Sequence, residues 1–284
     1  MIRPLFALSV LALAFPAEAF AGSYLRVESW NMRHEGWSGE TDYLGDAEQI
    51  WFEFGSSSTS AAGCDVVFLP EVMNATVAPA IAAQLSTLSG KTWVAVTTPL
   101  IGRTTYKESY AFIYRSDRVT VDGWAVWQDT GDKFEREPMI VRLRDRATAA
   151  DFTFINWHTV FGTTTQRAAE LSEIKNVFTA VQNGDSRDQD VILLGDHNAD
   201  ATSNWWTNFK TPAPAVTSPV NLPTSLNSTG AYVSAYDHFW FQSSYLTEYS
   251  SSGRDYVQDP VTYVADISDH APVWLKLYSS SDTD

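Results

Sequence analysis

The chain has 284 residues, of which 44% are hydrophobic and 19% charged, so it can bury a sizeable core and is not intrinsically disordered. Its 34 acidic residues against 19 Lys and Arg give a formal net charge of −15, which excludes a protein that holds polyanions through basic patches alone. The one cysteine, Cys64, excludes an intramolecular disulfide and a Cys-based zinc site.

The N-terminal residues 1–21 have the pattern of a secretory signal peptide. A basic start at Arg3 precedes the apolar residues 4–15, and small residues up to Ala21 suit cleavage. A membrane helix is the alternative, but the apolar run is shorter than the ~20 residues that span a bilayer. We therefore expect a protein that is secreted or periplasmic after cleavage near Ala19–Ala21, with one folded domain over residues 22–278. Residues 279–284 are expected to be a polar tail or the start of a linker.

Alternation and helical spacing predict ten strands and three helices along the rest of the chain. In chain order these are strand Tyr24–Asn31, helix Asp42–Phe54, strand Asp65–Leu69, helix Val77–Leu88, strands Thr92–Thr97, Tyr110–Tyr114, Val119–Trp127, Met139–Leu143 and Phe152–Trp157, helix Gln166–Val181, and strands Val191–Leu194, His238–Phe241 and Pro272–Leu277. The segment Thr211–Asn227, rich in Pro, Ser, Thr and Asn, predicts a loop. Strands outnumber helices and often follow one another, which predicts an α/β layered domain with antiparallel or mixed sheets and helices outside.

Polar side chains stand where five of the predicted strands begin or end. Asn31, Glu71 and His158 follow apolar runs, residues 196–200 form an acid–amide cluster, and His270 precedes the last strand. Such repetition indicates that strand ends converge on one cleft. Two carboxylates, two amides and two histidines suit a divalent-cation site with acid–base partners, and oxygen ligands favour Mg²⁺, Mn²⁺ or Ca²⁺ over zinc.

Eight short motifs carry a family resemblance over nearly the whole chain. They are Ser29–Arg33, Leu69–Val72, Thr105–Tyr110, Arg136–Pro138, Trp157–His158, Gly195–Asp200, Ala235–Asp237 and Ile267–Val273. In residue type and order they resemble the endonuclease/exonuclease/phosphatase superfamily, and within it the deoxyribonuclease I branch. The resemblance implies a four-layer α-β-β-α sandwich, in which two mixed or antiparallel sheets pack together with helices outside.

The resemblance also implies roles in phosphodiester hydrolysis. The implied catalytic residues are His158 and His270, oriented by Glu108 and Asp237, with Asp196 and Asn198 at the scissile phosphate, its water or a second metal. The implied metal ligands are Glu71 and Asn31, with Asp269 nearby, and the implied substrate-binding residues are Arg136, Tyr106 and Arg33. A structural calcium loop is implied at Asp129, Asp132, the Phe134 carbonyl and Glu137. Asp200 would support its loop or act in the site, and His34, His197 and His238 are expected to be local structure.

The chain departs from the deoxyribonuclease I pattern in two respects. Ala201 and Ser234 replace the cysteines of the family's long-range disulfide, and the small disulfide of the calcium loop is also missing. Met73 stands where the family has an Arg that enters the DNA minor groove. Methionine can pack against sugar but cannot respond to groove potential, which weakens the expectation of a groove-width preference.

The sequence therefore predicts a secreted, monomeric endonuclease that hydrolyses DNA, expected to be double-stranded, with little sequence specificity. The resemblance implies 5′-phosphate ends, Mg²⁺ or Mn²⁺ at the site, structural Ca²⁺ and no membrane contact. The alternative is a phosphomonoesterase or a sphingomyelinase-type phospholipase C on the same scaffold, with Trp205 and Trp206 as a membrane wedge. A non-catalytic binding module or toxin subunit is a third reading, against which the complete set of catalytic residue types argues. The acid-rich composition indicates either tolerance of salt or an incidental acidity.

Overall fold

The structure is a computed structural model that describes residues 24–37, 41–52, 63–184, 189–211 and 216–279. The predicted signal peptide at residues 1–21 lies outside these residues, as do residues 280–284. Ser279 is the one residue of the predicted polar tail that the structure describes, and the domain bounds stay predictions. Ser279 is buried and its hydroxyl donates to Asp145 at 2.8 Å, because its side chain reaches an acceptor on another strand. None of the helices in the described part of the chain has the length and apolar character needed to cross a bilayer.

The described residues form fourteen strands and four α-helices. In chain order they are β1 (Tyr24–Ser29), α1 (Tyr43–Phe52), β2 (Val66–Val72), α2 (Val77–Ser89), β3 (Trp93–Thr97), β4 (Ser109–Arg115), β5 (Val119–Val126), β6 (Met139–Asp145), β7 (Asp151–Asn156), α3 (Thr164–Gln182), β8 (Val191–Asp196), β9 (Val216–Thr217), β10 (Ser225–Leu226), β11 (Tyr232–Ser234), β12 (Asp237–Gln242), β13 (Tyr249–Arg254), α4 (Pro260–Asp266) and β14 (Val273–Tyr278).

Two six-stranded mixed sheets dominate the fold. Sheet I has the order β13-β14-β1-β2-β4-β3, and sheet II has the order β5-β6-β7-β8-β12-β9. Each sheet contains one parallel pair, β1 with β2 in sheet I and β7 with β8 in sheet II, and the other neighbours are antiparallel. A small β10-β11 hairpin lies apart from both sheets.

Alternation along the strands divides the core into three apolar layers. In β2, Phe68 packs with Phe154 of sheet II between the two sheets, whereas the next residue, Leu69, faces the opposite side. That outer side of sheet I is covered by α1, α2 and α4, and the outer side of sheet II by α3, through Ile174 against Leu193. The order is helix, sheet, sheet, helix, which confirms the predicted four-layer α-β-β-α sandwich.

All ten predicted strands and all three predicted helices are present, with ends that differ by a few residues. The loop predicted at Thr211–Asn227 contains the two-residue strands β9 and β10, which exist because β12 and β11 supply their partners. The sequence gives no signal for β13, whose Tyr-Ser-Ser-Ser-Gly-Arg lacks an apolar alternation and which pairs at the sheet edge with β14. It also gives none for α4, which has only seven residues.

One edge of the sandwich gathers the polar strand ends. The parallel pairs bring the carboxyl ends of β1 and β2, and of β7 and β8, to the same side. Antiparallel pairing brings the start of β4 beside the end of β2, and Asp237 at the start of β12 opposite Asp196 at the end of β8. The predicted convergence of strand ends is therefore confirmed. Pairing gathers the ends within each sheet, and the packing of the two sheets brings the two groups together, so that Asn31 donates to Asp196 at 2.9 Å.

Gly195 is required where β7 and β8 approach each other at this edge. Its φ is +130°, and a Cβ placed there would lie 2.1 Å from the carbonyl oxygen of Trp157. That carbonyl belongs to the residue before His158, and Trp157 N donates to Leu194 O at 3.0 Å. Any side chain at position 195 would push the two loops of the cleft apart.

We expect Gly195→Ala to lower the free energy of unfolding by about 2 kcal/mol or more, because it adds a backbone clash to an unfavourable φ. Urea denaturation followed by circular dichroism measures the change. Gly123→Ala is the matched control, since a Cβ there meets no atom within 4 Å and φ is not positive, and it should alter stability by no more than about 0.5 kcal/mol. Equal midpoints for the two variants would contradict the constraint.

Candidate active site

A cleft of about 730 Å³ opens at the edge where the strand ends meet. It is lined by eleven of the residues that the sequence predicted for catalysis, metal binding or substrate binding: Asn31, Arg33, Glu71, Tyr106, Glu108, Arg136, His158, Asp196, Asn198, Asp269 and His270. Asp237 is buried and contacts His270 from below the surface. Residues more than 230 positions apart in the chain thus share one cavity.

Two histidine–carboxylate pairs occupy the floor of the cleft. Nδ1 of His158 is 2.8 Å from Glu108 Oε2, and Nδ1 of His270 is 2.7 Å from Asp237 Oδ2. Both pairings were predicted from the sequence and both are present. A carboxylate on Nδ1 fixes the ring orientation and stabilises the protonated imidazole, which leaves Nε2 to exchange a proton with a ligand.

Asp196 lies between the two histidines. Its Oδ2 is 3.8 Å from Nε2 of His158 and 3.6 Å from Nε2 of His270. The same oxygen accepts a hydrogen bond from Asn31 Nδ2 at 2.9 Å, and Oδ1 accepts one from the backbone of Asn198 at 2.8 Å. A phosphate held in the cleft at Asp196 would therefore have an imidazole nitrogen on each side.

Several cleft residues adopt positive φ, a conformation that is costly for residues other than glycine. Glu71 has φ of +59° and Asn198 has φ of +47°. The Glu71 carboxylate accepts the backbone N–H of His34 at 3.1 Å, and its other oxygen is 3.5 Å from Nε2 of His158. Asn198 donates to Thr159 O at 3.0 Å. Two of the residues with positive φ thus have side chains that lie close to His158.

The charges in the site are strongly coupled. Burial alone would lower the pKa of His270, but the charges of Asp237 and Asp196 outweigh it and hold this pKa well above its ordinary value. The pKa of His158 is also raised, because Glu108 outweighs the effect of burial. Burial opposes ionisation of Glu108, yet His158 and Arg136 lower its pKa to about 2. Glu108 and Asp237 therefore offset the cost of burying a protonated imidazole at His158 and His270.

Carboxylates of the cleft can hold a divalent cation. Within the described residues, two sets of ligand atoms lie within 4.8 Å of one another, one from Glu71, Glu108 and His158 and the other from Asp196, Asp237 and His270. The carboxylates of Glu71 and Asp196 border the cleft. Burial raises the pKa of Glu71 because it destabilises the ionised carboxylate, and a bound cation would stabilise that charge. Oxygen donors of this kind fit Mg²⁺ or Mn²⁺.

The other two predicted metal ligands have protein partners. The amide of Asn31 donates to Asp196 and its oxygen accepts the backbone N–H of Arg33 at 2.8 Å, so here Asn31 orients Asp196. Asp269 lies at the rim, with a side chain 43% exposed and 4.0 Å from the Arg33 guanidinium. The ligand roles of both residues stay predictions.

The predicted substrate-binding residues differ in their access to the cleft. Arg136 is buried, with Nη1 3.2 Å from Glu108 Oε1 and Nη2 donating to Thr159 O at 3.0 Å, so it supports the Glu108–His158 pair from behind. The Tyr106 side chain lines the cleft, and its ring contacts His34 edge-to-face at 5.6 Å. Arg33 is exposed and its guanidinium donates to the Val264 carbonyl. Contact with a phosphate stays a prediction for all three.

The predicted calcium residues are not gathered around one point. The Asp129 carboxylate accepts backbone N–H groups of its own turn, including that of Phe134 at 2.8 Å. Asp132 extends away to an ion pair with Arg103 at 2.6 Å. Neither aspartate belongs, with Glu137, to a cluster of potential metal ligands among the described residues. The calcium loop stays a prediction. For Asp132 to bind the ion, its carboxylate would have to leave the ion pair with Arg103.

The remaining polar candidates divide between scaffold and cleft. His197 and His238 are buried, and their rings stack with centroids 5.9 Å apart, in agreement with the prediction that both are local structure. The Asp200 carboxylate accepts the backbone N–H of Thr202 in its own turn at 2.7 Å. His34 differs from the prediction, because the fold of its turn places the ring in the cleft with Nε2 3.5 Å from Glu71.

One residue that orients the site has no signal in the sequence. Glu170, on α3, is buried and accepts the backbone N–H of Glu135 at 2.5 Å and of Val160 at 2.8 Å. It thereby ties together the loop that carries Arg136 and the loop that follows His158. On the sequence it reads as an ordinary acidic residue of a helix, and only the packing of α3 on sheet II shows its function.

Comparison with known proteins agrees with this architecture. A deoxyribonuclease from Thioalkalivibrio sp. is 28% identical over 290 aligned residues, covering 96% of this chain and 75% of the relative. Rat deoxyribonuclease-1-like 1 is 33% identical over 143 residues, which is 50% of this chain and 45% of that protein. The chain thus spans less than half the length of this mammalian relative.

Among solved structures, an endonuclease/exonuclease/phosphatase family protein from Bacteroides thetaiotaomicron superposes with a TM-score of 0.64 at 16% identity, over 92% of this chain and all of that chain. No family model matches the sequence. The fold likeness and the matched relatives agree with the eight motifs found in the sequence. The chain is therefore similar in sequence to deoxyribonucleases and in fold to an endonuclease/exonuclease/phosphatase family protein, which supports the resemblance to the deoxyribonuclease I-like branch of that superfamily.

Proposed function

We propose that the protein is a metal-dependent endonuclease that hydrolyses DNA phosphodiester bonds with little sequence specificity. The observation that carries the proposal is the pair of histidine–carboxylate dyads facing each other across Asp196, with both Nε2 atoms within 4 Å of one carboxylate oxygen. The names of the deoxyribonuclease relatives support DNA as the substrate. Double-stranded DNA is the form that the family resemblance implies.

The histidines would divide the proton transfers of the reaction. One imidazole takes a proton from the attacking water, and the other gives a proton to the sugar oxygen that leaves phosphorus. Glu108 and Asp237 stabilise the charged ring in each case. If the 3′ oxygen is the one that leaves, as the resemblance implies, the products are a 5′-phosphate and a 3′-hydroxyl.

A cation bound by Glu71, with Asn31 and Asp269 as the other ligands that the resemblance implies, would stabilise negative charge on the phosphate oxygens. We propose Mg²⁺ or Mn²⁺ in this position and Ca²⁺ as a structural ion at Asp129, Asp132, Phe134 and Glu137. The two functions can be separated by removing metals from the protein with a chelator and adding each metal back alone. The catalytic ion should restore cleavage, and a structural ion should raise the melting temperature. Restored cleavage without any divalent metal would contradict metal dependence.

We expect His158→Ala and His270→Ala each to lower plasmid cleavage by about 10²- to 10⁴-fold, because each removes a general acid or base. Glu71→Ala should be similarly inactive, since it removes a carboxylate from the cleft. Supercoiled-plasmid nicking in Mg²⁺ measures the loss, and circular dichroism verifies folding. Glu48→Ala is the matched control, because Glu48 is an exposed carboxylate of α1 outside the cleft. Wild-type turnover in a folded histidine variant would remove that histidine from the mechanism.

We also propose that the enzyme tolerates salt. Binding through many cationic contacts weakens steeply with salt, but this chain has 19 Lys and Arg against 34 acidic residues. Salt also screens the repulsion between a protein of charge −15 and DNA. Plasmid cleavage measured from about 0.05 M to several molar NaCl should therefore decline far less than that of a basic-surfaced nuclease assayed in parallel. Loss of activity within a few tenths molar would mean that the acidity is incidental.

We propose further that the mature protein is a monomer exported to a periplasm or beyond. The signal-peptide pattern of residues 1–21 supports export. Cleavage would remove these residues without changing the net charge of the protein. N-terminal sequencing of protein recovered outside the cytoplasm measures the cleavage point, expected near Ala19–Ala21, and an intact N-terminus would count against export. Sedimentation analysis measures the assembly state.

A further inference from the structure

Two large aromatic side chains stand exposed at the cleft. Phe161, in the loop between β7 and α3, lines the cleft and is 79% exposed. Trp37, in the turn after β1, is 61% exposed and contacts two rings that line the cleft, Tyr106 and His34. Exposed aromatic surface beside a site that carries chemistry is characteristic of ligand contact.

The Trp37 ring is held in a fixed position. Its centroid is 5.1 Å from that of His34 and 5.5 Å from that of Tyr106, and both contacts are edge-to-face. The turn beneath it is fixed too, since Trp37 N donates to His34 O at 3.0 Å and Asn74 donates to Gly36 O at 2.7 Å. A ring fixed in this way loses little conformational entropy when a flat ligand stacks on it.

The cleft offers few cations to a phosphate backbone. Among the described residues that line it, the carboxylates are Glu71, Glu108, Glu135, Asp196 and Asp269, whereas the cationic side chains other than histidine are Arg33 and Arg136. Arg136 is buried against Glu108, and Arg33 already contacts Asp269 and the Val264 carbonyl. Contacts other than protein cations must therefore supply much of the affinity for a nucleic acid.

We propose that Trp37 and Phe161 form a base-stacking site for unpaired nucleobases, so that the enzyme prefers single-stranded DNA to the duplex that the family resemblance implies. This inference rests on the proposed nuclease function and specifies its substrate. Stacking on an aromatic ring requires a free base face, which single strands and frayed ends offer and which the neighbouring base pairs of a duplex cover. Because every base has such a face, the site adds affinity without sequence specificity.

The test compares kcat and KM for a single-stranded oligonucleotide and for its duplex, in wild type and in Trp37→Ala. The ratio of kcat/KM for single strand over duplex should exceed one in wild type. Trp37→Ala should lower that ratio by about 5- to 100-fold, through a higher KM with little change in kcat on the single strand. Phe161→Ala should act in the same direction, and Trp37→Phe should restore most of the ratio.

Trp124→Ala is the matched control, because Trp124 is an exposed tryptophan, at 43%, on the edge strand β5 of sheet II. It should leave the ratio unchanged. A ratio in Trp37→Ala and Phe161→Ala equal to that of wild type, with cleavage intact, would overturn the stacking site and leave the nuclease standing.

Binding separates this inference from the proposed function. Fluorescence anisotropy with a labelled oligo-dT, in EDTA and with His158→Ala in Mg²⁺, measures affinity without turnover. If oligo-dT binding depends on Trp37 but the wild-type protein cleaves no DNA in Mg²⁺, the stacking site is supported and the nuclease function is refuted. Sedimentation with sphingomyelin–phosphatidylcholine vesicles tests for a membrane contact. If the protein binds vesicles through Trp37 and does not bind oligo-dT, the inference is overturned and Trp37 is a membrane contact.

Discussion

The site depends on the hydrogen bond that the buried carboxylate of Asp196 accepts from Asn31. Asp196 stands at the end of β8 in sheet II, and the donor, Asn31, follows β1 in sheet I. A carboxylate that is 2% exposed would be costly without such donors. Burial raises its pKa, but His270 and His158 lower it further than burial raises it. The bond between the sheets and the electrostatics of catalysis therefore involve the same atoms.

The scaffold around Asp196 is built from backbone positions that tolerate little change. Gly195 lets β8 approach the carbonyl of Trp157, and the positive φ of Glu71 and Asn198 directs their side chains toward His158. Glu170 holds two of the surrounding loops through their backbone N–H groups. Strain of this kind persists only where the surrounding packing enforces it, and here the packing comes from two sheets and α3.

The charge distribution of the cleft bears on how the proposed DNA substrate would be bound. Carboxylates outnumber guanidinium groups among the described residues of the cleft, and the most buried of those guanidiniums, Arg136, orients Glu108. A divalent cation and flat aromatic surfaces remain as sources of affinity, and Trp37 and Phe161 supply the latter. A negative protein can thus act on a polyanion without many lysine contacts.

The sequence by itself determined ten of the fourteen described strands and the three longer helices, because alternation and helical spacing are local. The order of the motifs carried the family resemblance, which implied the two histidine–carboxylate pairs. The tertiary structure alone decided β13, which has no apolar alternation and exists through β14, and α4, which is too short to carry a helical period. It also decided that Arg136 supports Glu108 and that Glu170 joins two loops. Their partners lie between 10 and 35 residues away and are chosen by how the helices and sheets pack, which no local pattern encodes.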